Sequence, residues 1–281
     1  MLDVFLIILA LIWVIFAVVA DLKTREIPNW LNFSLIIFAF GARFFYSLFN
    51  ENLNFLVQGA FGFAVFFLLA NALYFGRFFA GGDAKLMMAL GPVIPFGADF
   101  LSNLNFFLSF LLLFFVAGAI FGFISVLYFS FRGFGKIKKD FFKNMKANRK
   151  IFFVFMGIGL VFMLIGFAEK LLFVLGILLF VFPYLYFYTK TIDNCFLIMR
   201  INSKELTEGD WLYKRVKVGK SFIEPKWEGL SKENIRVIRK KFRFVYIRRG
   251  LEFSPVFLIS FVIFTYFVFN KIILWNSLWQ P

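Results

Sequence analysis

The sequence predicts an all-α polytopic membrane protein, with six to eight transmembrane helices and a small cytoplasmic α+β domain. Two observations support this fold class: 62% of the 281 residues are hydrophobic, and the mean hydropathy is +0.84. Soluble domains are only about 45–50% apolar. A third observation is that apolar runs recur at about 20 residues, which is the length of helix that crosses a bilayer.

Eight apolar runs are candidate transmembrane spans. They cover residues 2–20, 30–49, 55–76, 84–98, 104–131, 151–168, 171–189 and 254–275. The fourth run is short and contains Pro92 and Pro95, and the sixth and seventh form a hairpin about Glu169 and Lys170. Arg43 lies inside the second run, and we expect its side chain to extend toward the outer interface. The first run has no basic start, so we expect a retained helix rather than a cleaved signal peptide.

Basic residues are concentrated in alternate connections between the runs. Residues 132–150 include eight Lys/Arg and one acid, and residues 190–253 include 16 Lys/Arg and eight acids. The connections at 50–54 and 99–103 have no Lys or Arg. Because cytoplasmic loops carry the excess of Lys and Arg, we expect a multi-pass plasma-membrane protein with both termini outside. The net charge of +15 then favours membrane lipids as partners, and not nucleic acid.

The charge pattern divides the chain into five predicted segments. These are a transmembrane core (1–131), a basic cytoplasmic loop (132–150), a transmembrane hairpin (151–189), a small cytoplasmic domain (190–253), and a last helix with the C-terminus (254–281). Within the small domain, residues 215–227 alternate like strands and residues 231–242 have a helical pattern that Ser231 caps. Residues 242–247 suit a closing strand.

The residue types available for chemistry are few. There is no histidine, and Cys195 is the single cysteine. This excludes Ser–His and Cys–His nucleophile pairs, HExxH metal sites and disulfides within the chain. We therefore expect no metal site and no cofactor, and acid–base groups must be carboxylates, Lys or Tyr. Two carboxylates stand out because Asp21 ends the first apolar run and Asp83 begins the fourth, which places both at the cytoplasmic side.

Such a pair can hydrolyse a peptide bond without any other catalytic group. Two carboxyl groups a few ångströms apart share one proton, because they cannot both ionise freely. The ionised group takes a proton from water, and the protonated group donates one toward the substrate carbonyl oxygen. Gly81 and Gly82 precede Asp83, and glycine lets a second backbone approach closely. We therefore interpret Gly81 and Gly82 as the place where a substrate backbone lies beside Asp21 and Asp83.

Two stretches resemble the type IV prepilin and archaeal preflagellin peptidases, which are GxGD membrane aspartyl proteases. The first stretch, ADLKTREIPNWL, is similar to their Asp-x-x-x-x-x-Ile-Pro-Asn segment at Asp21 and 27–29. The second, GGDAKLMMALG, is similar to their GxGD-x-K segment at Gly82, Asp83 and Lys85. The two resemblances together imply that Asp21 and Asp83 are the catalytic pair.

The resemblance also implies an activity. It implies an aspartyl endopeptidase that cleaves the N-terminal leader, a class III signal peptide, from pilin-like or archaellin precursors at the cytoplasmic face. Ala80 stands where the family has its first glycine. Bacterial relatives that also N-methylate their product often carry a four-cysteine zinc loop, so a single cysteine favours an archaeal-type peptidase without N-methyltransferase activity. Three residues are candidates for a supporting role. Lys85 could tune the two carboxyl groups, and Pro28 and Asn29 could set the turn into the second helix.

Two alternatives stay open. A presenilin-like or signal-peptide-peptidase-like intramembrane protease shares GxGD but has a Tyr-Asp motif in the partner helix, where this chain has Ala20 before Asp21. An ion-coupled transporter would use Asp21 and Asp83 as relay groups. That class favours carboxylates near mid-membrane and inverted repeats, and the sequence indicates neither.

Overall fold

The structure is a computed structural model that describes residues 2–97, 99–167, 169–219 and 221–270. The helices of this described part are α1 (Leu2–Thr24), α2 (Asn29–Phe49), α3 (Asn54–Phe75), α4 (Gly81–Leu90), α5 (Phe100–Arg132), α6 (Phe134–Ala147), α7 (Arg149–Ile165), α8 (Lys170–Ile192), α9 (Lys232–Lys241) and α10 (Ser254–Phe269). The strands are β1 (Ile198–Asn202), β2 (Trp211–Leu212), β3 (Val216–Val218), β4 (Ser221–Ile223) and β5 (Phe244–Arg248).

Several helices are suited to cross a membrane. Five in the described part are long and apolar enough, namely α1, α2, α3, α5 and the segment Lys170–Leu197 that contains α8. The pair α6 and α7, bent by 82°, gives a sixth if it is counted as one span. α10 is apolar but shorter, at 16 residues. Together with the strand-containing region after α8, this confirms a polytopic all-α membrane protein with a small α+β region. The predicted extension of the last span to residue 275 lies partly outside the described residues.

The fourth predicted span, 84–98, is wrong as a continuous helix. α4 has ten residues, which at 1.5 Å per residue is about 15 Å, against about 30 Å of hydrocarbon in a bilayer. Pro92 has no N–H to continue the helix, and Pro95 repeats the interruption. The chain therefore leaves helical geometry after Leu90, and α4 packs against α2 and α3 without being a membrane span itself.

Arg43 holds the turn that follows α4. Its side chain is 1% exposed, and its Nε donates to the carbonyl of Pro92. Nη2 donates to the carbonyls of Val93 and Pro95, and Nη1 donates to the carbonyl of Phe55. The expectation that Arg43 extends to the outer interface is therefore wrong. A guanidinium group carries five N–H donors. Here they bond three backbone carbonyls of the non-helical segment after α4 and one carbonyl in the first turn of α3.

A close backbone contact joins α3 and α4. A Cβ at Gly62 would overlap the carbonyl oxygen of Gly91, and a Cβ at Gly91 would lie 2.8 Å from the carbonyl oxygen of Gly62. Both neighbours are backbone atoms, so a side chain cannot be accommodated by a rotamer change. Small residues at such contacts let transmembrane helices approach closely.

We expect Gly62→Ala to destabilise the protein by about 1–3 kcal/mol, the usual cost of overpacking. The matched control is Gly41→Ala in α2, where a Cβ would have no described neighbour within 4 Å. Thermal unfolding of both variants in the same detergent measures the difference. Equal melting temperatures for the two alanine variants would show that the α3–α4 contact is looser than the structure indicates.

The chain forms two compact units. The first comprises Met1–Gly122 with Glu252–Pro281, and the second comprises Phe123–Leu251. The core of the first unit is built from apolar residues of α1, α2, α3, α4, α5 and α10. Representative buried members are Leu6, Leu35, Phe66, Met87 and Phe261.

The second unit contains the small α+β region. Its main sheet has the order β1-β5-β2 with antiparallel pairs, and β3 and β4 form a separate hairpin. Ile235 and Ile238 of α9 pack in a core with Ile247 of β5. The predicted helix and closing strand are present as α9 and β5, and the Ser231 hydroxyl accepts the N–H of Asn234 as its predicted cap.

The basic segment 132–150 was predicted as a loop, and it is largely helical. α6 occupies Phe134–Ala147, with Ile137 buried and the ring of Phe141 against that of Tyr188. Apolar residues recur among its lysines at helical spacing, so one face of the segment packs on α8 while the lysines stay exposed. The eight Lys/Arg of this segment favoured a loop in the sequence-based prediction, because they outnumber the apolar residues that define the buried face of α6.

Candidate active site

The two predicted carboxylates lie at neighbouring helix ends in the first unit. Asp21 is in the last part of α1 and is 8% exposed. Asp83 is in the first turn of α4 and is partly buried. Burial and, to a smaller extent, the negative charge of Asp21 raise the pKa of Asp83. A backbone hydrogen bond from Ala80 partly offsets this rise, and the resulting pKa is about 7. The two groups are therefore close enough to influence each other's charge.

The two sequence motifs are also in direct contact. Lys85 Nζ donates to Asn29 Oδ1 at 2.6 Å, which joins the start of α4 to the start of α2. Pro28 occupies the N-cap position of α2 with φ −59° and ψ 135°, so it sets the direction in which α2 leaves the turn. Lys85 and Asn29 thus act together on the site geometry, although their contribution to catalysis stays a prediction.

The two glycines before Asp83 have different surroundings. A Cβ at Gly82 would lie 3.3 Å from Cβ of Ile27, whereas the nearest atom to a Cβ at Gly81 is Tyr74 Cε2 at 3.9 Å. Gly82 therefore permits close packing between the two motifs, and Gly81 has more space around it. A substrate backbone would accordingly have more room at Gly81 than at Gly82.

Ala80 fits its position without strain. It is the N-cap residue of α4, with φ −72° and ψ 162°. This is extended backbone that any residue adopts, so glycine is not required there. The departure from the family pattern at Ala80 therefore does not disturb the start of α4.

Three residues at the site were not found from the sequence. Arg25 follows α1 with a left-handed φ of 61°, and its guanidinium forms an ion pair with Glu252 at 2.6 Å. The backbone N–H of Ser254, the first residue of α10, donates to Asp21 Oδ2 at 3.4 Å. The start of α10 is thus a third component of the site.

An apolar cavity of about 380 Å³ adjoins the same region. Phe79 and Phe253 line it, and they lie just before the GGD stretch and just before Ser254. Its other lining residues come from α3, α5 and the connection after α3, and they are Leu73, Phe78, Phe114, Phe115, Gly118 and Ala119. The cavity therefore offers space for apolar groups beside the two segments that lead to Asp83 and to Ser254.

The described residues contain no group of three or more His, Cys, Asp or Glu arranged to hold a metal ion. What the arrangement does offer is acid–base chemistry. One buried carboxyl group has a raised pKa, and its neighbour accepts a backbone N–H at a helix N-terminus. Two carboxyl groups in different surroundings can take the acid and base roles of a hydrolysis.

Comparisons with known proteins match the part of the chain that carries this site. Residues 8–123 match the type IV leader peptidase family. A curated relative, the preflagellin peptidase of Methanocaldococcus jannaschii, is 33% identical over 84 residues, which are 30% of this chain and 36% of the relative. The chain thus matches about a third of that relative's length. No solved structure matches. The resemblance inferred from the two motifs is confirmed over the matched residues.

Proposed function

We propose that this chain is an aspartyl endopeptidase that removes N-terminal leaders from pilin-like or archaellin precursors, because residues 8–123 match the type IV leader peptidase family. One observation carries the proposal. Asp21 and Asp83, one from each family motif, lie at adjoining helix ends within electrostatic reach of each other. Two further contacts involve these helix ends. The Lys85–Asn29 hydrogen bond joins the start of α4 to the start of α2, and the Ser254–Asp21 hydrogen bond joins the start of α10 to the end of α1.

The mechanism assigns the two carboxyl groups different protonation states. Asp83, with its raised pKa, holds the proton, and Asp21 is the ionised base. Asp21 takes a proton from a water molecule, and the water oxygen attacks the scissile carbonyl carbon while Asp83 protonates the carbonyl oxygen. The tetrahedral intermediate then collapses and the C–N bond breaks. The leaving amine receives the proton from Asp21, and one hydroxyl of the intermediate returns a proton to Asp83 as the carboxyl product forms, which restores both groups.

The charge pattern of the loops supports cleavage at the cytoplasmic face. The substrate's hydrophobic helix would stay in the membrane beside α1 to α4, and its leader would pass Asp21 and Asp83. The apolar cavity at Phe79 and Phe253 would accept apolar side chains next to the scissile bond. We propose no N-methyltransferase activity, because the four-cysteine zinc loop of the bacterial relatives that methylate their product cannot form in a chain with one cysteine.

Processing of a precursor by the purified, lipid-reconstituted protein tests this function. The substrate is a pilin-like or archaellin precursor with a C-terminal tag, incubated with a chelator and S-adenosylmethionine present. We expect loss of the leader and an unmethylated new N-terminus. A precursor that stays intact in reconstituted lipid would overturn the proposal, and a methylated product would overturn the absence of methyltransferase activity.

The rate of cleavage should depend on pH through Asp83. Its carboxyl group donates a proton only while it is protonated, so activity is retained below its pKa of about 7 and lost as the pH rises through that value. We expect the rate to fall about tenfold between about pH 6 and about pH 8. Initial rates across this range measure it, with melting temperatures recorded at each pH as the control for unfolding. A rate that stays constant up to about pH 9 would contradict the assigned role of Asp83.

A further inference from the structure

The first residue of α10 is placed to act on Asp21. Ser254 is fully buried, with 0% exposure, and its backbone N–H donates to Asp21 Oδ2. Within the described part of the chain, its hydroxyl oxygen has no hydrogen-bond partner. A buried hydroxyl without a partner costs free energy, so an unpaired one beside a functional group calls for an explanation.

The residues around Ser254 tie this helix end to the site at three points. Glu252 forms the ion pair with Arg25, one helical turn after Asp21. Phe253 lines the apolar cavity, and Ser254 reaches Asp21 itself. Three consecutive residues thus contact three different parts of one site, although Ser254 and Asp21 are 233 positions apart in the chain. The contacts of the two preceding residues therefore help to hold Ser254 beside Asp21.

The chemistry of a helix N-terminus suits an ionised carboxylate. The free N–H groups and the positive end of the helix dipole stabilise a negative charge. A serine hydroxyl adds a donor whose proton rotates to meet its acceptor. The backbone N–H of Ser254 already donates to one carboxylate oxygen of Asp21. The hydroxyl of the same residue has no partner among the described residues.

We propose that Ser254 is a positioning residue for Asp21. Its N–H orients the carboxylate, and its hydroxyl donates a second hydrogen bond to that carboxylate when substrate is bound. The inference rests on the proposed function, because it assigns Asp21 the role of ionised base. Ser254 itself does not touch the substrate's reacting atoms.

Substitution of Ser254 tests this role with kinetics on the full-length protein in lipid. We expect Ser254→Ala to lower kcat about tenfold with KM within about twofold, since a hydrogen bond to a charged group is lost at the base and not in substrate binding. Ser254→Thr, which keeps the hydroxyl, should restore most of the rate.

Two other buried serines provide matched controls. Ser109 in α5 also has a hydroxyl without a partner among the described residues. Ser260 lies in α10, where its hydroxyl bonds the carbonyls of Val256 and Phe257. Alanine at Ser109 or Ser260 should leave kcat and KM as in the wild type. An equal loss of kcat in these controls would mean that any buried serine has this effect, and would overturn the proposal.

The outcomes separate this inference from the function on which it rests. If Ser254→Ala has the kcat of the wild type while Asp21→Asn is inactive, the role of Ser254 is wrong and the peptidase assignment stands. If Ser254→Ala and Ser254→Thr are equally slow, the role of this residue is structural and the proposal is overturned. If threonine lowers the melting temperature, the alanine variant decides: a loss confined to kcat supports the proposal, and a matching rise in KM overturns it. If Asp21→Asn cleaves like the wild type, the function itself fails.

Discussion

Asp21→Asn and Asp83→Asn should each lower the rate of precursor cleavage by at least about 10³-fold, within the range that general acid–base groups contribute. Asparagine keeps the size of the side chain but neither takes a proton from water nor donates one as an acid. Because the two carboxyl groups act as a unit, the double variant should be no slower than either single variant. Rates are measured with a tagged precursor in membranes that contain equal amounts of each variant.

The matched control is Asp99→Asn. Asp99 accepts hydrogen bonds from the backbone N–H and the hydroxyl of Ser102 at the start of α5. Asparagine keeps one acceptor for the backbone N–H, and its NH2 group can donate to the hydroxyl oxygen instead. This variant should insert and cleave like the wild type. Full processing by Asp21→Asn or by Asp83→Asn would contradict the catalytic pair, whatever the result at Asp99.

Arg43→Met should have the largest effect on stability, with a loss of about 3–5 kcal/mol. Methionine fills part of the volume but leaves the carbonyls of Pro92, Val93, Pro95 and Phe55 without the donors that they now have. In an apolar surrounding each unsatisfied carbonyl is costly. Thermal unfolding in detergent measures the loss, and the turn that follows α4 should be the first segment to lose protection in hydrogen exchange.

Two further variants define what Arg43 contributes. Arg43→Lys keeps the positive charge but has one nitrogen, so it should recover only part of the lost stability. Arg132→Met removes an exposed arginine that bonds the hydroxyl of Tyr128, and it should change stability by less than about 0.5 kcal/mol. A melting temperature for Arg43→Met equal to that of Arg132→Met would show that the buried hydrogen bonds do not hold this turn.

The helices and the two carboxylates could be predicted from the sequence because their signals are local. The apolar runs at 2–20, 30–49 and 55–76 became α1, α2 and α3 with shifts of a few residues. Asp21 and Asp83 were identified from the residues beside them and from the charge of the connecting loops. An apolar run or a short motif depends only on residues within about 20 positions of each other, so it can be recognised in a single sequence.

The features that could not be predicted depend on contacts between distant parts of the chain. Three of the four carbonyls that Arg43 bonds become available only because the backbone turns after α4. Ser254 has no local feature that points to Asp21, which lies at the other end of the chain. Neither contact follows from periodicity or from charge, because each depends on how the helices pack.

The leader-peptidase assignment is tested most directly by locating the bond that the purified protein cuts. Mass spectrometry of a precursor after incubation with the wild type should find a short N-terminal leader and a mature chain whose hydrophobic helix is intact. The Asp21→Asn and Asp83→Asn variants should leave the precursor at its full mass. Fragments cut within the hydrophobic helix, or the same leader released by either asparagine variant, would contradict a leader peptidase that acts through Asp21 and Asp83.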